Sequence, residues 1–171
     1  MFIRYSSILA LASFNLAVFY IVFTPLTVYP VYWSVKIFYS SAQVFNSVIV
    51  INGISAELIP ACVAGSAYYL LTILNLSTPM RTKQRIYSLI FLFISFLIIN
   101  ILRIVLFLVL LIYNADYFDL AHRIVWYFGS TAMVVLLWFA CVWVCKIDKI
   151  PLYSDGLSLV HDAFKKRIIS S

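Results

Sequence analysis

The stretch that decides the fold is IYSLIFLFISFLIINILRIVLFLVLLIY, residues Ile86 to Tyr113. It is apolar throughout except for serines, a single Asn100 and a single Arg103. A transmembrane helix needs about 20 such residues, so the run is long enough to cross a bilayer with some left over. A charge inside it costs a few kcal/mol even on lenient insertion scales, so Arg103 must face protein or water.

The flanks read the same way. Upstream, Arg81-Thr-Lys83-Gln-Arg85 is a polar loop preceded by Pro79. Before it, Ala61 to Leu76 reads as a span opened by Pro60, because proline suits the first helical position. Downstream, residues 114 to 123 form a short loop carrying Asp116, Asp119 and His122. Ile124 to Cys145 then reads as a further span. Near the start, Tyr5 to Val28 is another apolar run, with Pro25 and Pro30 marking its end. It follows Arg4 as a signal peptide would, but it is too long and lacks a small-residue cleavage site, so it reads as an uncleaved span.

Between these spans two stretches are ambiguous. Val31 to Ile51 is apolar but broken by Lys36, Gln43, Asn46 and several serines. It fits an interfacial helix, a re-entrant piece or a poor span. Val48-Ile-Val-Ile-Asn52-Gly53-Ile-Ser-Ala-Glu57 carries Asn-Gly between β-branched runs, a hairpin signal because both turn positions want positive φ. The expected fold is therefore an all-α integral membrane bundle of four spans, or five if 31–51 also crosses. A hairpin or re-entrant segment on the outer face precedes the Cys62 helix. Residues 1–145 form the membrane domain and 146–171 a polar tail. In that tail Leu157, Val160, Phe164 and Ile168 share a helical face beside Lys165, Lys166 and Arg167, the pattern of a surface-lying amphipathic helix.

Composition supports this. Of 171 residues, 65% are apolar or aromatic and 11% are charged, against roughly half and about a quarter in soluble domains. That excludes a cytosolic enzyme, a disordered chain and a nucleic-acid module. The net charge of +6 is better read as topology. Arg81, Lys83, Arg85, Lys146, Lys149, Lys165, Lys166 and Arg167 all lie in one loop and the tail. The positive-inside rule places both in the cytoplasm. Cys62 and His122 then face outward, whether or not 31–51 crosses.

Three residues are candidates for chemistry. Cys62 sits in the expected first helical turn after Pro60, where the helix N-terminus favours a thiolate; otherwise it is a small apolar helix residue. Arg103 shares a face with Phe96, Asn100 and Phe107, so Asn100 can help solvate it; otherwise it is a structural bridge between spans. His122 opens the last span, with Trp126, Gly129 and Ser130 on its face; otherwise it is simply interfacial. Together they supply a nucleophile, an acid–base partner and a positive oxyanion stabiliser. The other polar residues are weaker candidates. Cys141 and Cys145, four apart, lack enough ligands for a metal and read as packing. Glu57 is placed near Cys62 by the hairpin but fits a plain interfacial carboxylate. His161 lies in the cytoplasmic tail.

Pro60-Ala-Cys62-Val-Ala-Gly65-Ser66 resembles the A-C-[ST]-G-type segment of the exosortase/archaeosortase family. Asn100-Ile-Leu-Arg103-Ile104 is similar to that family's N-x-x-R-[IV] span. His122 before an aromatic-rich span resembles its third position, a role that the adjacent Arg123 could also take. The resemblance covers roughly residues 45 to 145. This chain is shorter than the usual member, and it has Val63-Ala64 where a hydroxyl-Gly pair is typical. The resemblance implies a membrane-embedded cysteine transpeptidase, with its active site on the extracytoplasmic side of the cell membrane. Its substrates would be exported surface proteins ending in a sorting signal: a short motif, a transmembrane helix and a basic cluster. It implies Cys62 as nucleophile, His122 as the acid that protonates the leaving amine, and Arg103 as stabiliser of the thiolate or oxyanion. A membrane lipid headgroup amine is the implied acceptor, and no metal or organic cofactor is needed.

Two other functions compete with it. A non-enzymatic membrane scaffold or assembly subunit would pair Arg103 with a partner's acidic residue. A small transporter or channel would line its path with Arg103 and Asn100, but only one strong polar position faces inward and there is no repeat.

Overall fold

The computed structural model describes residues 16–113, 118 and 122–147, and for residue 126 the backbone alone. The chain is mostly helical. Helix α1 is Ala17–Phe38. Strands β1 (Gln43–Phe45), β2 (Val48–Ile51) and β3 (Ile54–Glu57) follow. A single turn, α2 (Pro60–Val63), leads into α3 (Gly65–Ser77), then α4 (Thr82–Tyr113) and α5 (His122–Val144). Among the described residues, three helices are long and apolar enough to cross a membrane: α1, α4 and α5. They are compatible with a membrane protein.

Helix α1 does not stop at Pro25 or Pro30; both lie inside it. Where no water competes for backbone groups, ending a helix exposes several of them, whereas each proline removes one donor. The Ser34 hydroxyl donates to the Pro30 carbonyl at 2.8 Å. The ambiguous 31–51 stretch is therefore neither a span nor an interfacial helix. Its first part completes α1 and the rest turns into β1 and β2.

The fold is thus not all-α. β1, β2 and β3 form a meander in that order, both pairings antiparallel. The Asn52-Gly53 turn is present, with φ of 51° and 84°, the pair of positive values that a tight two-residue hairpin requires. Asn46, at φ 54°, turns β1 into β2. Ile49 and Ile51 point into a cluster with Val28, Val31, Val35, Ile104 and Leu108. The sheet is pinned by that cluster to the C-terminal halves of α1 and α4.

The expected helix from Ala61 to Leu76 is broken. Ala64 adopts the left-handed conformation, φ 56° and ψ 42°, and separates α2 from α3. Gly65 follows because α1 passes so close: a Cβ there would meet the Tyr20 ring at 2.8 Å. Around this crossing a second cluster holds Phe23, Tyr68, Phe96, Leu137 and Cys141. Phe23 and Tyr68 stack at 3.6 Å.

The two ends of the bundle differ. At one, Gln84 donates to the carbonyls of Cys145 (2.7 Å) and Lys146 (3.3 Å), which brings the basic loop and the start of the tail together. Arg103 lies further along α4, about 28 Å away at the ordinary helical rise, towards the sheet. The expected amphipathic tail helix, His161, Asp116 and Asp119 lie outside the described residues.

Candidate active site

The site is assembled from β3, α2, α4 and the start of α5. Ile59 is extended, at ψ 162°, and Pro60 opens α2. Cys62 therefore sits in a helix of one turn, too short for the dipole expected of a full helix N-terminus. Its position is set by hydrogen bonds instead. The Cys62 N–H donates to the Ile59 carbonyl at 2.8 Å. The left-handed turn at Ala64 leaves the Cys62 and Val63 carbonyls without helical partners, and α4 supplies them.

Asn100, 0% exposed, donates through Nδ2 to the Cys62 carbonyl at 2.9 Å and more distantly to that of Val63 at 3.5 Å. Its expected role as a solvating partner for Arg103 is replaced by this one. Arg103 splits its guanidinium. One nitrogen donates to the Ser130 hydroxyl at 2.9 Å, the other reaches the Cys62 carbonyl at 3.5 Å. The cost of placing Arg within an apolar helix is thus offset by contacts made on both sides.

His122 is reached from α5. Its ring stacks on Phe118, at 5.4 Å and 7°, and meets the edge of Phe107 at 5.4 Å and 84°. Between His122 and Ser130 the helix widens to a π turn, Val125–Gly129, where the Ser130 N–H reaches the Val125 carbonyl. In a regular α-helix positions eight apart diverge by about 80°. The one extra residue of a π turn brings them back onto one face. This is how α5 presents both Ser130 and His122 to α4.

Cys62, Arg103 and His122, the three residues singled out in the sequence, line one cavity of about 170 Å³. Glu57, at the end of the hairpin, lines it too. The remaining wall is apolar, from Ile104, Phe107, Leu108 and Leu111 of α4. A half-buried thiol, a guanidinium and an imidazole around a largely apolar cavity suit acyl transfer, in which an oxyanion must be stabilised and an amine protonated. Sequence reasoning put Ser130 on the face of His122 but did not pair it with Arg103. A π turn has no compositional signature, so that pairing could not be read. Cys141 is buried away from this site, with its sulfur 3.9 Å from that of Cys145. Among the described residues no group of three or more His, Cys, Asp or Glu could hold a metal ion.

Comparison with protein-family models, curated proteins and solved structures returns no match.

Proposed function

We propose that the chain is a membrane-embedded cysteine transpeptidase of the exosortase/archaeosortase type. The observation that carries this reading is the convergence of Cys62, Arg103 and His122 on one cavity. These residues are 41 and 60 positions from the cysteine, and each was proposed from its own local pattern. In this reading the chain crosses the cell membrane four times. α1, α4 and α5 are full spans, and α2 with α3 is an interrupted one. The basic loop and tail lie in the cytoplasm and the cavity opens on the outer side.

The chemistry follows from the side chains. The Cys62 thiolate attacks a peptide carbonyl near the C-terminus of an exported protein, and the carbonyl π pair moves onto oxygen. Arg103 stabilises that oxyanion. When the C–N bond breaks, the His122 imidazolium gives its proton to the leaving amine, which departs with the sorting-signal helix. A thioester remains on Cys62. A nucleophile such as a lipid headgroup amine attacks it and loses a proton to His122, and the thiolate leaves. The cycle is redox-neutral and uses no group beyond these side chains, substrate and acceptor.

The test is to express Cys62→Ala beside the unaltered protein and follow exported proteins that end in an apolar helix and basic cluster. Accumulation of their uncleaved forms, with normal amounts of the variant in the membrane, is the expected result. Unchanged processing sinks the reading in favour of a scaffold.

A further inference from the structure

The sheet meets the cavity along one strand only. Ala56 and Glu57 of β3, then Leu58 and Ile59, line the cavity, whereas no residue of β1 does. β3 is also an edge of the sheet, with order β1-β2-β3. The register fixes which of its backbone groups look outward. Ile51 pairs with Ile54 across the two-residue turn and Ile49 with Ala56. The Leu58 N–H donates to Ser47 at 2.8 Å in the same alternation. These are the hydrogen-bonded pairs of an antiparallel ladder, so the intervening Ser55 and Glu57 direct their N–H groups away from β2. Both residues are exposed.

We propose that β3 takes up an extended stretch of the substrate polypeptide as a fourth strand, which carries the scissile carbonyl along the edge to Cys62. The inference rests on the reading of Cys62 as the nucleophile and adds how the substrate is held. The Glu57 carbonyl already accepts from the Ile59 N–H at 3.2 Å, which leaves the Ser55 N–H and carbonyl and the Glu57 N–H, groups that an extended backbone matches and an acyl chain does not. An open edge next to apolar surroundings is costly and is normally covered. β3 ends at Glu57, and the chain passes through Leu58 and Ile59 to the turn that bears Cys62, so a peptide paired with β3 ends beside residues that line the cavity. Recognition would draw on main-chain hydrogen bonds, with the apolar cavity wall selecting the side chains that point into it.

The experiment uses the full chain in lipid nanodiscs. The probes are acetyl-Ala-Thr-Val-Ala chloromethyl ketone and its four singly N-methylated forms, with chloroacetamide as a control that needs no strand. Labelling of Cys62 is followed by mass spectrometry. Methylation at alternate residues should slow labelling about fivefold, the scale of one lost hydrogen bond, and methylation at the residues between should leave it within about twofold. Ser55→Pro, which removes one outward donor, should slow the peptide probe and not chloroacetamide. Equal sensitivity at every position overturns strand pairing and leaves Cys62 as a nucleophile. Failure of every probe to label Cys62 overturns the nucleophile instead. The edge is then decided in Cys62→Ala, by amide exchange with acetyl-Ala-Thr-Val-Ala amide. Slower exchange at Ser55 and Glu57 supports the pairing, and unchanged exchange overturns it. Slow exchange without peptide that is lost on dilution means that a second copy covers the edge, which also overturns it.

Discussion

Asn100 holds the carbonyl of Cys62 at 2.9 Å across 38 positions of sequence. The bond ties the middle of the longest helix to the one-turn helix that bears the thiol. Asn100→Ala would leave that carbonyl and a small void in a dry environment. An orphaned buried acceptor costs about 1–3 kcal/mol. The expected outcome is a lower unfolding midpoint in detergent together with a changed rate of Cys62 alkylation. An unchanged midpoint would refute the assignment.

Arg103 should govern the reactivity of Cys62. Both residues line one cavity, where a guanidinium favours the thiolate over the thiol, so Arg103→Leu should slow alkylation of Cys62 by chloroacetamide at neutral pH by about tenfold or more. Ser130→Ala leaves the charge and removes only its anchor at 2.9 Å. Its effect should be smaller, roughly twofold to fivefold on the scale of one hydrogen bond. Equal rates in both variants and the parent would show that the guanidinium does not act on the sulfur.

Ala64 should be improved by glycine. Left-handed backbone costs an L-residue about 1–2 kcal/mol, and glycine none. Ala64 holds that conformation at φ 56°. Ala64→Gly is therefore expected to raise the unfolding midpoint while Cys62 alkylation stays the same. A lowered midpoint would mean that the side chain of Ala64 contributes more by packing than its backbone loses.

The neighbouring position should respond in the opposite way. A Cβ on Gly65 would sit 2.8 Å from Tyr20 Cε1, inside contact distance, and overpacking of this kind costs about 1–3 kcal/mol. Gly65→Ala should destabilise the protein, and Tyr20→Leu in the same chain should recover part of the loss. Without any recovery, the crossing of α1 and α3 is not the cause.

How much of this could be read from the sequence depends on the range of the interaction. Ile86 to Tyr113 announced α4 because a helix in an apolar medium closes its own hydrogen bonds, so composition and length suffice. Asn52-Gly53 announced its turn because both residues tolerate positive φ. The prolines misled: Pro25 and Pro30 are helix breakers in water, where a lost bond is replaced by solvent, and are kept inside α1. Strand Val48–Ile51 was legible as one arm of the Asn52-Gly53 hairpin, whereas Gln43–Phe45 was hidden in an apolar run whose short length admits several readings. Cys62, Arg103 and His122 were legible as oddities, one by one. Their partners Asn100 and Ser130 were not, since the first depends on a left-handed alanine and the second on a widened turn of α5.

That alanine also divides the second helical segment mechanically. Below Ala64, α3 is held by its crossing with Tyr20 and by the aromatic stack of Phe23 and Tyr68. Above it, the thiol hangs from the sheet and from Asn100. A tilt of α3 would therefore be taken up at the left-handed link at residue 64 before it reached the Cys62 carbonyl that Asn100 holds.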